Sequence, residues 1–326
     1  MTTEDPQLVM LPGLWHWPPR WEEASQPTIS DLALVPFFAL LFPTLRFVLD
    51  KFVFERMGRK SIAGLSPEAL LKLSDVEREE NEKKLIKYKE SAWKCVYYST
   101  AELLALAVTY NEPWFTQTKM FYLGPGDQVW PYLNAKLKLK MLYAFSSGFY
   151  TYSIFALCFW ETRRKDFGVS MTHHVGALGL LIVSYIVNLQ RAGSVILAVH
   201  DASDVFLEVG KLTKYSGLDY VPEIAFGLFA VSWILLRLLY FPVVLVRSTT
   251  YEVLVVLDKD KYPNGPYLYY ILNTLLICLL VLHVYWWILI WRMIKKQIQN
   301  SGKVSDDVRS DSDSDSDVDE DKDKKE

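Results

Sequence analysis

Seven runs of apolar residues, each long enough to cross a hydrocarbon layer of roughly 30 Å, alternate with charged or Pro- and Gly-bearing connections. They fall at about 31–49, 92–110, 138–160, 170–188, 192–212, 222–246 and 267–292. The pattern predicts an all-α membrane protein of about seven transmembrane helices. The last six, joined by short connections, form one compact unit around a central chamber, with the first appended. The expected layout is a luminal segment at 1–30, a first transmembrane helix at 31–49, a cytosolic charged helix and linker at 50–91, the six-helix unit at 92–296 and an acidic tail at 297–326. No internal repeat is evident.

Basic residues set the expected orientation. Arg56, Arg59 and Lys60 follow the first run, Arg163 to Lys165 the third, Lys211 and Lys214 the fifth, and Arg292, Lys295 and Lys296 the seventh. With seven crossings all four ends share one side, which the positive-inside rule makes cytosolic, so the N-terminus is luminal and the C-terminus cytosolic. The opposite connections, 111–137 and 247–266, hold interface-type residues such as Trp114, Trp130 and Tyr262. Between the first two runs, Ser66 to Glu90 reads as a charged cytosolic helix opened by Ser66 and Pro67 with Glu68 in its first turn, an amphipathic arm beside the membrane.

The formal charge of −3 hides an asymmetry. Much of the acid lies in Ser305–Glu326, where Ser-Asp alternation leaves nothing to bury and predicts a disordered tail. The remaining body is net basic, as a membrane protein with cytosolic Lys and Arg should be, and no nucleic-acid partner is inferred. Cys95, Cys158 and Cys278 all lie within apolar runs, which argues against a disulfide framework or a thiolate zinc site. The N-terminal stretch lacks a basic n-region and a small-residue cleavage site, so the first apolar run is expected to be retained.

The candidate chemistry is concentrated in the fourth and fifth runs. His173 and His174 stand together near the cytosolic start of the fourth. In the fifth, His200, Asp204, Glu208 and Lys211 recur at helical spacing with Asp201 beside them, forming one polar stripe opposite Val199, Val205, Phe206 and Val209. A central Asp facing lipid costs around 2.5–3.5 kcal/mol on the insertion scale, so this stripe must face a protein cavity. The two helices run antiparallel, which puts His174 roughly 6 Å and Asp204 roughly 12 Å from the cytosolic face at helical rise, close enough to meet. His200 lies deeper in the same chamber.

Three readings of this cluster stand side by side. It can be an interhelical polar network without chemistry. It can be a mononuclear zinc site from His173 or His174 with His200 and Asp204, although adjacent histidines diverge by about 100° on a helix. Di-iron hydroxylases need more spaced histidines than the five in this chain, which include His16 and an isolated His283. The third reading is acid–base and nucleophilic work by carboxylate-oriented imidazoles. No serine nucleophile elbow is present, so a histidine would itself attack or activate.

The stretch Asp166-Phe-Gly-Val-Ser-Met-Thr-His173-His174, then Ser184-Tyr185, then His200-Asp201-Ala-Ser-Asp204-Val-Phe-Leu-Glu208, closely resembles the signature of ceramide synthases, most of all the plant members, inside what looks like a TLC domain over about 90–300. The resemblance implies a TLC-type bundle and an N-acyltransferase of the endoplasmic reticulum membrane. It would move a fatty acyl group from acyl-CoA to the amine of sphinganine or phytosphingosine, with no cofactor and no metal. It further implies that His173 or His174 accepts the acyl group as an acyl-imidazole while the other positions or transfers protons. Asp201 and Asp204 would orient the imidazoles and take the amine proton, and His200 completes the catalytic set. Glu208, Arg237, Tyr185 and Ser184 are counted as substrate-binding. One departure is Ala177, where many members carry threonine after the paired histidine.

Arg237, inside the sixth run, needs a partner, and an ion pair with Glu208 or Asp201 is expected. His283, followed by Tyr285-Trp286-Trp287, reads as a satisfied bundle histidine or a belt residue rather than a ligand. Pro242 predicts an architectural kink. Lys322-Asp-Lys324-Lys-Glu326 resembles a C-terminal K-x-K-x-x retrieval signal, and Ser310, Ser312 and Ser314 resemble acidophilic-kinase sites. Expected partners are therefore acyl-CoA, a sphingoid base, membrane lipids, a second copy or a relative in a homo- or heterodimer, and an acidophilic kinase. Two alternatives remain: a non-catalytic TLC-domain protein for lipid binding or trafficking, and a proton-coupled transporter. The lack of repeated halves and of Gly/Pro-broken helix pairs argues against the second.

Overall fold

The structure, a computed structural model, describes residues 18–63, 74–257, 261 and 265–299. His16, the Ser66-Pro67 helix opening, Tyr262, the serines of the tail and the terminal Lys-rich motif lie outside the described residues. Among the described residues seven long helices form: α1 Ile29–Ile62, α2 Asp75–Thr109, α3 Leu137–Phe159, α4 Phe167–Ile186, α5 Gln190–Tyr215, α6 Val221–Val256 and α7 Gly265–Gln299. Five of them, α1, α3, α4, α6 and α7, are long and apolar enough to cross a membrane. The chain is thus a multi-pass, all-α membrane protein. The other two, α2 and α5, coincide with the second and fifth expected crossings but carry ionisable residues within them: Lys94 and Glu102 in α2, and the acid stripe in α5.

Several boundaries differ from expectation: α1 runs on from 49 to Ile62 and α7 from 292 to Gln299, and two further differences have local reasons. The charged segment ending at Glu90 is not a separate arm, because α2 runs without a break from Asp75 into the second apolar run. Its start is set by a capping box in which the Ser74 hydroxyl accepts from the Glu77 N–H at 3.3 Å and the Glu77 carboxylate accepts from the Ser74 N–H at 2.9 Å. Helix α6 continues ten residues past its expected end at 246, so the connection to α7 is shorter than 247–266. Its middle, Trp233–Val246, winds in wider π turns around Pro242, whose missing N–H cannot complete an ordinary turn.

Packing closes α2–α7 into a ring. Helix α2 lies on α5, α5 on α6, α6 on α7, α7 on α4, α4 on α3, and α3 back on α2. Helix α1 sits outside the ring against α3, held there by Phe42 and by Arg46, which donates to Tyr152 Oη at 2.7 Å. The approach of α1 to α3 depends on Gly148, because a Cβ there would collide with the Phe38 side chain.

At the end of the ring where α3 starts, a short antiparallel pair, β1 Ala24–Ser25 and β2 Ala135–Lys136, ties the segment before α1 to α3. The buried Asp31 carboxylate collects three donors there: Thr28 N–H at 3.0 Å, Lys140 Nζ at 3.0 Å and Tyr185 Oη at 2.6 Å. Outside this anchor, Glu22 and Glu112 each take Lys136 and Lys138 at 2.8–2.9 Å. Hydrogen bonds from Lys136 and then Lys138 hold the Glu22 carboxyl below the usual glutamate range. Burial works to lower the Lys136 ammonium, but Glu112 and Glu22 outweigh it and raise it.

The sign of the resulting pH dependence follows. The lowered Glu22 contributes clasp stability above the ordinary glutamate pKa and loses it as pH falls through its folded value. The raised Lys136 contributes below the ordinary lysine pKa and loses it as pH rises through its own. Protection of the Leu137 and Lys138 amides, which donate to Glu23 and Trp21 carbonyls, should therefore be greatest near neutral pH and fall at both extremes once intrinsic exchange is corrected for. Gly148→Val should lower stability in detergent by about 1–3 kcal/mol, read by thermal unfolding, because α1 can no longer seat on α3.

Candidate active site

The ring encloses two cavities that share three lining residues, Tyr150, His173 and His200. The first, about 200 Å³, is built from all six ring helices and sets charged side chains among apolar ones. Its walls carry Lys94, Arg164, Glu208, Lys211 and Lys214. Much of this charge is paired: Lys94 bridges Glu90 at 3.0 Å and Glu161 at 2.7 Å, Arg164 meets Glu90 at 2.7 Å, and Lys211 meets Glu208 at 2.9 Å. The second cavity, about 440 Å³, is lined by apolar side chains such as Leu180, Ile196 and Leu276 and reaches Ser184 and Tyr122. From His173 to Ser184 is eleven residues of α4, or roughly 16 Å at helical rise.

Helix α4 brings the paired histidines to the junction. Its first residues are pinned to α7, where Trp286 Nε1 donates to Asp166 at 3.1 Å. Two turns further in, His173 and His174 both face this first, charged cavity, with ring centres 5.5 Å apart. The His173 ring meets the Trp286 ring edge-on at 5.2 Å, and the His174 ring lies 5.7 Å from that of Tyr150. Nδ1 of each imidazole is buried without a protein partner. The expected divergence of adjacent helical side chains is accommodated because the cavity spans both directions.

Helix α5 presents the expected stripe, and the structure decides how its members pair. Arg237 on α6 donates to Asp204 Oδ2 at 2.6 Å and to the main-chain oxygen of His200, while its guanidinium lies 4.1 Å above the Trp233 ring. The partner expected for Arg237, Glu208 or Asp201, is thus corrected to Asp204. Glu208 is taken by Lys211 on its own helix, and the π turns of α6 set the register of Arg237. Asp201 is buried on α5 and, unlike Asp204, lines neither cavity.

His200 has both ring nitrogens engaged. Nδ1 lies 2.6 Å from the Ile196 carbonyl and Nε2 lies 3.0 Å from Nε2 of His283. His283, expected as a satisfied bundle histidine or a belt residue, is therefore part of the cluster. The signal that could have placed it is its position as the lone imidazole in the apolar middle of α7, where an ionisable side chain requires a partner. Of the remaining expected positions, Ser184 lines the far part of the apolar cavity and bonds Tyr143 Oη at 3.2 Å. Tyr185 donates to Asp31 and lines neither cavity. Tyr150 and Trp233 carry no charge or motif signal that marks them in the sequence, and Trp286, expected only as part of an aromatic belt, lines the charged cavity with them. Among the described residues no three His, Cys, Asp or Glu side chains converge as a metal-binding group.

Residues 87–292 match the TLC domain family. The chain is 59% identical to the ceramide synthase LOH1 of Arabidopsis thaliana over 292 residues, 89% of this chain and 94% of that protein. It is 58% identical to the ceramide synthase 1 LOH3 of the same plant over 293 residues, 90% and 94% of the two chains. With the ceramide synthase LOH2, also of Arabidopsis thaliana, it shares 45% identity over 276 residues, 84% and 89%. The fold is that of a TLC-domain membrane protein, and with relatives this similar along nearly the whole chain, the protein belongs to the plant-type ceramide synthase family.

The Arg237–Asp204 pair yields a stability test. Arg237→Met leaves a carboxylate without its cation and should destabilise the folded protein by up to about 3–5 kcal/mol, less to the extent that Asp204 opens onto the cavity. Adding Asp204→Asn should restore part of that loss, so thermal unfolding of the two single variants and the double variant should be clearly non-additive.

Proposed function

We propose that the protein is a ceramide synthase that transfers a fatty acyl group from acyl-CoA to the amine of a sphingoid base. The observation that carries this reading is the position of His173, at the meeting point of a charged chamber and an apolar cavity. A thioester has the same division of character: a polyanionic CoA on one side of the reacting carbon and an alkyl chain on the other. In this reading the acyl chain occupies the apolar cavity, and the CoA phosphates lie toward Lys94, Arg164, Lys211 and Lys214. The positive-inside rule supports placing that basic end in the cytosol and the N-terminus in the lumen, within the endoplasmic reticulum membrane.

His200 has no ring nitrogen left for bond formation, which supports His173 as the acyl acceptor and His174 as its proton-transfer partner. The lone pair of His173 attacks the thioester carbon. As the C–S bond breaks, its electron pair leaves with sulfur, and the CoA thiolate takes up a proton. The sphingoid ammonium gives a proton to His174 and its nitrogen attacks the acyl-imidazole. The N–acyl bond to His173 breaks, returning the lone pair to the ring, and the amide nitrogen sheds a second proton. Overall, thioester and ammonium become amide, thiol and one released proton. Asp204, held by Arg237 and facing the charged chamber, supplies the negative charge that receives the ammonium.

Purified protein in detergent, given acyl-CoA and sphinganine, should form dihydroceramide. His173→Ala and Asp204→Asn should each lower kcat by at least roughly 10²-fold, the scale of a lost nucleophile or proton-transfer group. Full activity in both variants overturns the site. Sphinganine binding without any product in the unaltered protein would instead support a lipid-binding role.

A further inference from the structure

We infer that His283 is a positioning residue for this acyl transfer, holding His200 in one tautomer and one ring orientation at the junction of the two cavities. The inference rests on the function proposed above for its effect on rate, but the contact itself does not.

The tautomers follow from the partners. A carbonyl oxygen only accepts, so the 2.6 Å contact between His200 Nδ1 and Ile196 O requires the His200 proton on Nδ1. Neutral His200 then has a lone pair at Nε2, and the 3.0 Å contact to His283 Nε2 requires the proton there to come from His283. His283 consequently carries its own lone pair at Nδ1, the one nitrogen of the pair that is buried with no partner.

The surroundings leave this arrangement little freedom. His283 is fully buried and lines neither cavity. Phe241 lies 5.2 Å from both imidazoles, and the Trp233 ring stands 5.9 Å from His283 while donating to its main-chain oxygen. Arg237 fixes the main chain of His200 from the other side. His200, by contrast, is one of only three residues common to both cavities, with Tyr150 and His173. A His200 ring freed to rotate would turn a different edge toward the passage in which the thioester must meet His173. His283 thus acts on the reaction through His200 without touching substrate.

Three proteins separate positioning from bulk packing: the unaltered chain, His283→Gln, which retains an N–H donor near the same reach, and His283→Met, which fills similar space without one. With saturating sphinganine, His283→Met should lose roughly tenfold to a hundredfold in kcat, the range for partners that orient a functional imidazole, while KM for acyl-CoA moves less than about twofold. His283→Gln should stay within about threefold of the unaltered chain. In ¹⁵N-histidine-labelled protein without substrate, the His200 ring signals, assigned through His200→Gln, should report the Nδ1–H tautomer and should shift in His283→Met. Equal kcat in the Gln and Met variants, or His200 signals untouched by His283→Met, overturns the inference. If the unaltered chain makes no dihydroceramide, the function falls, and the ¹⁵N signals alone still decide whether His283 holds His200.

Discussion

An ionisable side chain inside an apolar bundle is tolerated only when another group meets it, and this protein is organised around that requirement. Arg237 is its centre. One guanidinium joins α6 to α5 through both the Asp204 carboxylate and the main chain of His200, and lies on Trp233, which in turn donates to the main chain of His283 on α7. Three helices of the ring are thereby held in fixed register by one cation. The ordering of the imidazoles beside it follows from that register.

The same requirement shapes the two ends of the molecule differently. At the end where α3 begins, Asp31 is satisfied by a backbone N–H, a lysine and a tyrosine, and the result is a closed anchor with no cavity of its own. At the other end Glu90, Lys94, Glu161 and Arg164 neutralise one another around an open chamber. The paired histidines lie between these regions. Their Nδ1 atoms are buried without a protein partner, as is Nδ1 of His283.

The wide π turns of α6 deserve a structural reading beyond the kink expected from Pro242. By changing the number of residues per turn over Trp233–Val246, they allow Trp233, Arg237 and Phe241 to line up on one face toward α5 and α7, each four residues from the next. Those three side chains surround the His200–His283 contact. A local departure from regular winding thus supplies the walls of the site.

The positions of the seven helices, the polar stripe of α5 and the paired histidine of α4 were all legible in the chain, because helix length, hydropathy and a 3.6-residue period are local properties. That Asp204 and the histidines share one chamber also followed, since acids in an apolar helix must turn inward. Pairing was not legible. Periodicity places Arg237 on a helix but not beside Asp204 rather than Glu208 or Asp201, and nothing near His283 in sequence indicates His200, 83 residues away. Which cation meets which acid, and which imidazole meets which, depends on the rotation and depth of each helix within the closed ring. Those are fixed by contacts between residues far apart along the chain, so only the tertiary structure could decide them.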